Sequence, residues 1–417
     1  MKKSNFVILC LLLAGFICSG MPMGENFAAK ALDEVWQEVA RNHYRKDFDS
    51  AYRKSVYEKF RPVILKSEDI PALTENLNKM LDAVGDSHLR VFGPDNGPDK
   101  SIRPVENPGA VNSPADPGFS LLTCGKELQV RHVRPGSAAA KENVCPGDVL
   151  LAVEGWQVKQ TQEDVSPMVL MATSLLERGG VGSICEVQMQ GRDGKIRHLR
   201  LKRSDNGGIF FQTAALPRMV LRYETRMLNE KTGYLRFNIF APDVVRKFRK
   251  DRRYGIFKNA ENIIVDLRGN PGGILLTAEW LGAWCFPVKV PMGTLIVDGV
   301  KLTPVSEPQK DCFNKHVIVL TDGDSASTSE IFAAAVQDSK TGIVIGSRTA
   351  GKCLPSLFLT LPSGLRIQTV SGDARRASGK SLEKIGVTPD IWVDNGFENG
   401  QDKVLAKALS VLAEKGN

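Results

Sequence analysis

From Phe27 to about Val91 the apolar positions recur at helical spacing, with Phe27, Ala31, Val35 and Val39 in FAAKALDEVWQEVARNHY and Ile70, Leu73, Leu77, Leu81 and Val84 in DIPALTENLNKMLDAV. Steps of three and four put these side chains on one face of a helix, so residues 25–92 are expected to form a helical N-terminal domain that ends at GDSH, Gly85 to His88. Repeated Pro and Gly then break the period, and 93–117 reads as a linker. Over 118–206 the period shortens. GFSL (118–121) precedes an alternating strand, LQVRHV (128–133), followed by a short helix at PGSAA, a buried strand in PGDVLLAV, a helix in VSPMVLMATSLLERGG and a hairpin around GRDG. Over 207–399 apolar strands alternate with helices: GYLRFNIF (233–240), NIIVDLRGNPGG (262–273), HVIVLTDG (316–323), an Ala-rich helix, and GIVIG (342–346). That alternation predicts an α/β domain with right-handed crossovers on a largely buried sheet. Residues 400–417 read as a C-terminal helix.

Length and composition fit this division, since a chain of 417 residues with 42% hydrophobic content is too long for one ordinary core. The opening MKKSNFVILCLLLAGFICSG has the form of an export signal: two lysines, an apolar run from Phe6 to Ile17 and then small residues. The run falls short of the ~20 residues of a membrane span, so removal of residues 1–20 is expected, giving an exported, periplasmic or secreted protein that meets a membrane only through an uncleaved leader. Bulky Phe16 and Ile17 before Cys18 argue against lipid anchoring. Loss of Lys2 and Lys3 lowers the formal charge from +8 to +6. The one dense basic run, RKFRKDRR (246–253), reads as a solvated helix face rather than a nucleic-acid site. Loss of Cys10 and Cys18 leaves six of the eight cysteines. They lack metal-type CxxC spacing, and disulfide pairing stays open.

The segment TDGDSASTSEIFAAAVQD (321–338) crowds hydroxyls at the start of a helix. Capping accounts for such residues. A nucleophile held beside the open N–H groups of the helix is the alternative, because those donors and the positive helix end can stabilise an oxyanion. A serine needs a base, and there is no GxSxG elbow. Lys352 in GSRTAGKC lies past the following strand among uncharged flanks.

GFSL followed by PGSAA and PGDVLLAV resembles a PDZ domain, in which an extended peptide adds a strand and loop N–H groups hold its C-terminal carboxylate; Gly118, Phe119, Ser120 and Leu121 would form that loop. With the NPGG turn, the SxSE helix start and the GK loop, the chain as a whole resembles the C-terminal processing, or tail-specific, protease family. The resemblance implies an α/β protease core of crotonase/ClpP-like fold, with an inserted PDZ domain and an N-terminal helical domain. It implies an endopeptidase acting on proteins or peptides with free C-termini, without cofactor, metal or nucleic acid. Ser327 would be the nucleophile and Lys352, 25 residues on, the general base. The N–H of Thr328 and one from the Gly272–Gly273 turn would form the oxyanion hole. Cys353 and Ser356 stand where the family has glycine and a lysine-orienting glutamine. GDSH resembles the related tricorn-core branch instead, which would make Ser87, His88 and Glu383 the groups serving Ser327. A PDZ-containing peptide binder without catalysis, and an acyl-CoA enzyme of the crotonase type, are the alternative functions.

Overall fold

The structure is a computed structural model that describes residues 25–43, 51–94, 113–158, 166–213, 216–297 and 299–415. The leader at 1–20 and most of the 93–117 linker lie outside the described residues. The chain forms two compact units, one of residues 1–95 with 359–369 and the other of 96–358 with 370–417.

In the first unit, α1 (Glu25–Asn42), α2 (Ala51–Ile64) and α3 (Ile70–Val84) bury the expected stripes: Ala31, Val35 and Val39 on α1, Leu73, Leu77 and Leu81 on α3. Asp69 caps α3 through a 2.7 Å bond from Ala72 N, and Gly85 ends it in the left-handed region at φ 86°. Strand β1 (Arg90–Phe92) pairs antiparallel with residues 366–368, Arg90 opposite Gln368. Ser363 N also donates to Glu34 at 2.8 Å. The helical domain therefore includes a segment more than 250 residues away, which no local pattern announces.

The second unit contains two six-stranded sheets beside several smaller ones. The first holds β2 (Phe119–Cys124), β3 (Glu127–Val133), β4 (Val149–Val153), β5 (Trp156–Gln157), β6 (Ile184–Gln190) and β7 (Ile196–Lys202), in the order β2-β3-β4-β6-β7 with β5 on β4. α4 (Ala138–Lys141) is the expected short helix, and α5 (Ser166–Glu177) lays Ala172 and Leu176 on a core of Phe119, Leu121, Val130, Leu150 and Val187. Buried Arg203 clasps the end of α5, donating to the carbonyls of Leu175 and Leu176 at 2.9 and 2.8 Å.

The second sheet runs β8 (Tyr223–Met227), β9 (Thr232–Phe237), β10 (Asn262–Asp266), β11 (Val317–Thr321), β12 (Gly342–Gly346) and β13 (Ile391–Trp392), side by side in that order. Only β8 is antiparallel to its neighbour. NIIVD, VIVLT and GIVIG are apolar on both faces because both are covered. One face packs Leu235, Ile263, Val265, Val319 and Val344 with α6 (Pro242–Tyr254), α7 (Leu275–Cys285) and α8 (Thr328–Ser339). The other packs Ile264, Ile318, Leu320 and Ile345 against Val404, Ala408 and Val411 of α9 (Lys403–Lys415). In-register pairing of Asp266 with Leu320 and Thr321 with Gly346 brings the carboxyl ends of β10, β11 and β12 to one edge, where open α/β sheets place their ligands.

The basic run on α6 is not wholly solvated. Arg252 donates to the carbonyls of Phe257, Ala260 and Asp311 at 2.6, 3.2 and 2.7 Å and stacks 4.4 Å from the Phe313 ring, satisfying loop carbonyls that lack a backbone ladder. Among the described residues no helix is long and apolar enough to cross a membrane, and Cys124, Cys145, Cys185, Cys285, Cys312 and Cys353 are free.

Candidate active site

Three loops meet at that edge, each leaving the carboxyl end of one central strand. The loop after β10 is fixed first by charge. Asp266 and Arg268, both fully buried, pair at 2.7 Å, and Arg268 reaches Asp402 at 2.6 Å. Burial works to raise the Asp266 carboxyl, but Arg268 overcomes it and holds the group well below the usual carboxylate range. Asn270 then acts as the hub of the turn. Its side chain donates to Phe237 O at 2.9 Å and accepts from Gly272 N at 2.9 Å, and its carbonyl accepts from Ala326 N and from Ser329 Oγ.

Gly272 touches the serine loop. A Cβ there would stand 2.8 Å from Ala326 O, Ser327 Cβ and Thr328 N, and φ is 102°, so only glycine allows this approach. Because Gly272 N–H is taken by Asn270, the turn keeps the N–H of Gly273 without an acceptor among the described residues. Thr328 N–H is likewise without one at the head of α8.

The hydroxyls of 325–329 divide by partner. Ser325 Oγ donates to Leu267 O at 2.8 Å, Thr328 Oγ1 to Gly273 O at 2.7 Å and Ser329 Oγ to Asn270 O at 2.9 Å. All three sew α8 to the loop after β10. Ser327 Oγ makes no such tie. Its backbone sits at φ 54°, ψ −118°, a conformation that is strained for any residue with a Cβ.

The loop after β12 lies alongside. Ala350 N donates to Ser325 O at 2.9 Å and Ser327 N to Lys352 O at 2.8 Å. Between the loops stands Glu330, completely buried. One of its oxygens accepts from Thr349 Oγ1 at 2.7 Å and Gly351 N at 2.8 Å, the other from Ser327 N at 2.9 Å and Lys352 N at 3.0 Å. Burial raises the Glu330 carboxyl, and these four donors oppose the rise. Glu330 was not singled out from the sequence, although Ser327 with a glutamate three residues on is a capping-box pattern; Asn270 had no comparable signal.

Glu383 arrives from the segment after 381, which follows the Lys352 loop: Lys384 N donates to Gly351 O at 2.7 Å, and Glu383 accepts from Cys353 N at 2.9 Å. The buried Cys353 thiol lies 3.6 Å from Ser327 O. Asp322, at the end of β11, accepts from Gly269 N and Asp324 N at 3.0 Å and from Ser325 Oγ at 3.1 Å. Burial, with Asp324 adding to it, pushes its carboxyl up to about 6.

Ser327, Lys352, Glu383, Gly272, Gly273 and Thr328 thus come together within the second unit. Ser87 and His88 belong to the first, where Ser87 Oγ stands 2.8 Å from His88 Nδ1 and the neighbouring Asp86 is buried against His43 at 2.8 Å. Of residues 118–121, Gly118 N is bonded to Asp116 at 2.7 Å, Phe119 and Leu121 enter the core of the first sheet, and Ser120 accepts from Arg131 at 3.3 Å. Strand β2 is an edge strand, paired on one side by β3. Its Thr123 donates to Asp324 at 2.6 Å in the loop that leads to Ser327. Among the described residues no group of His, Cys, Asp and Glu is arranged to hold a metal.

Residues 231–393 match the model of the family described as Peptidase family S41. The chloroplastic C-terminal processing peptidase of Tetradesmus obliquus is 25% identical over 388 residues, spanning 87% of this chain and 76% of that protein. The carboxyl-terminal-processing protease of Picosynechococcus sp. is 24% identical over 393 residues, 92% of this chain and 88% of that one. Among solved structures, the photosystem II D1 C-terminal processing protease has the same fold with a TM-score of 0.54 at 23% identity, over 88% of this chain and 93% of that one. The tricorn protease matches at 0.53 and 16% identity, over 94% of this chain and 37% of its own.

Proposed function

From the match of residues 231–393 to the model of peptidase family S41, we propose a serine endopeptidase in which Ser327 attacks the peptide carbonyl and Lys352 is its base. The observation that supports this reading is the bond from Ser327 N to Lys352 O at 2.8 Å, which holds the backbone of the lysine loop against the strained serine. In this mechanism the Lys352 amine takes the proton of Ser327 Oγ as the hydroxyl adds to the carbonyl. The N–H groups of Thr328 and Gly273 receive the oxyanion. The lysine ammonium then protonates the departing amine, and water releases the acyl group by the same route. Glu383 holds the lysine loop at Cys353 N, where Gly and Gln of the wider family are replaced by Cys353 and Ser356.

Residues 118–206 act as a PDZ-type module: the outer edge of β2 takes an extended peptide, and the 118–121 segment reads its C-terminal carboxylate. The leader directs export. A second reading, supported by the 2.8 Å Ser87–His88 contact and by Glu383 at the serine loop, makes Ser87, His88 and Glu383 the groups that serve Ser327. Casein cleavage by Ser327→Ala, Lys352→Ala and His88→Ala, normalised to folded protein, tests the catalytic assignments. Ser327→Ala should be inactive, and the variant lacking the true base should lose on the order of 10²-fold or more in kcat. Full activity of Lys352→Ala with none in His88→Ala would overturn the lysine assignment. No casein cleavage by the intact chain would leave a peptide-binding protein.

A further inference from the structure

The segment that follows the second sheet returns to the active-site edge. After β13 the chain passes Asn395, pairs Phe397 with Asp402 in a short hairpin and enters α9. Asn395 and Asp402 both lie past residue 393, where the match to the family model ends. Asp402 grips Arg268 with both oxygens, at 2.9 Å to Nη1 and 2.6 Å to Nη2. Burial works against the Arg268 charge, but Asp266 and Asp402 overcome it and raise the guanidinium well above its ordinary value. A buried cation held this way leaves its carboxylates only at a large cost, so Arg268 is a fixed point just before Asn270, the hub of the oxyanion turn.

Asn395 acts on both loops. Its amide nitrogen donates to Asp322 and to Thr123 O, each at 3.0 Å, and its oxygen accepts from Arg268 Nη1 at 3.4 Å. Asp322 in turn accepts from Gly269 N at 3.0 Å and from Ser325 Oγ at 3.1 Å. The roots of the loops after β10 and β11 are thereby joined to each other and to the strap of 395–402. Ser327 needs such support, because a strained backbone persists only where its surroundings over-determine it.

We propose that Asn395 and Asp402 are positioning residues, which hold the oxyanion turn and the Ser327 loop in the geometry that peptide cleavage needs. Neither touches the reacting atoms; they act through Arg268 and Asp322. The competing reading is that the strap only closes the fold, since Asp402 Oδ1 also caps α9, accepting from Val404 N and Leu405 N at 3.1 Å. The two readings separate in kinetics: a displacement of about 1 Å in an active site can cost on the order of 10²-fold in rate, whereas a lost cap lowers stability alone.

The inference rests on the proposed peptidase reading, so casein kinetics are paired with amide hydrogen exchange of the whole chain, which needs no activity. Asp402→Ser keeps an oxygen for the N–H groups that open α9 and removes the charge from Arg268. We expect its kcat per folded molecule to fall about 10- to 100-fold with KM little changed, and exchange over 267–273 and 322–329 to quicken. Asn395→Ala, which leaves the Arg268–Asp402 pair in place, should shift both readouts in the same direction, so the result does not depend on one variant folding. Ala408→Gly weakens α9 through backbone entropy at a position that makes neither contact; it should lower the melting temperature while sparing kcat and loop exchange. Unchanged kcat in both strap variants, unchanged exchange of the two loops, or an equal loss of kcat in Ala408→Gly would each overturn the proposal. No casein cleavage by the parent chain would instead overturn the peptidase reading, and faster loop exchange in the variants would still show the strap holding the loops.

Discussion

Glu330 accepts four donors from two loops, and its replacement is the most informative single change in this protein. In Glu330→Gln one oxygen becomes an NH₂ group that must face two N–H or O–H donors, so a buried arrangement with no unpaired group becomes one with several. We expect a loss on the order of 3 kcal/mol in urea unfolding, together with a fall in kcat as the Lys352 loop separates from Ser327. A stable variant with unchanged turnover would show that the carboxylate does not hold the two loops. The hydroxyl crowd around it was legible as a crowd, but not as a division of labour. Ser325, Thr328 and Ser329 bond to residues 55 to 59 positions away, and a local pattern carries no information about partners at that distance. Ser327 is distinguished by its positive φ, which only the folded backbone reveals.

At the scale of the element, the turn from β11 into α8 depends on Asp322. Its carboxyl is raised from 3.8 to about 6, first by burial. Between those values the folded state binds the proton that the unfolded chain has released, so this group removes stability as the pH rises from about 4 to 6. Asp322→Asn lacks that slope. The stability of the variant relative to the parent should therefore improve across this window, by at most about 1.4 kcal/mol per pH unit, whatever constant cost the substitution adds. Urea unfolding of both proteins from pH 4 to 6.5 measures it, and a flat difference would contradict the raised carboxyl. The parallel strands were clear from NIIVD, VIVLT and GIVIG, whose apolar character on both faces demands cover on both. The loops beyond them were not, because their conformations are set by Asp266–Arg268, Asn270 and Glu330 rather than by period.

Over the whole molecule, the six described cysteines are free, and burial pushes the thiols of Cys124 and Cys185 up to about 12. A maleimide should therefore label the half-buried Cys145 and Cys312 first in the folded protein, with Cys124, Cys185, Cys285 and Cys353 reacting only after denaturation, as peptide mass mapping would show. Reductant should leave the melting temperature unchanged. Rapid labelling of the buried four would contradict this packing. The sequence by itself determined the helical stripes of α1 and α3, the four central strands of the second sheet, and the three segments that bear Gly272, Ser327 and Lys352, because periodicity, glycine turns and β-branched runs act within a few residues of themselves. Tertiary structure alone decided that 359–369 joins the first unit, that Glu383 reaches the Lys352 loop, that Glu330 binds both loops at once, and that Asn395 and Asp402 reach Asp322 and Arg268. Those outcomes depend on groups brought together from distant positions and shielded from water, and burial, which gives a charge or an unpaired donor its energetic weight, exists only once the chain has folded.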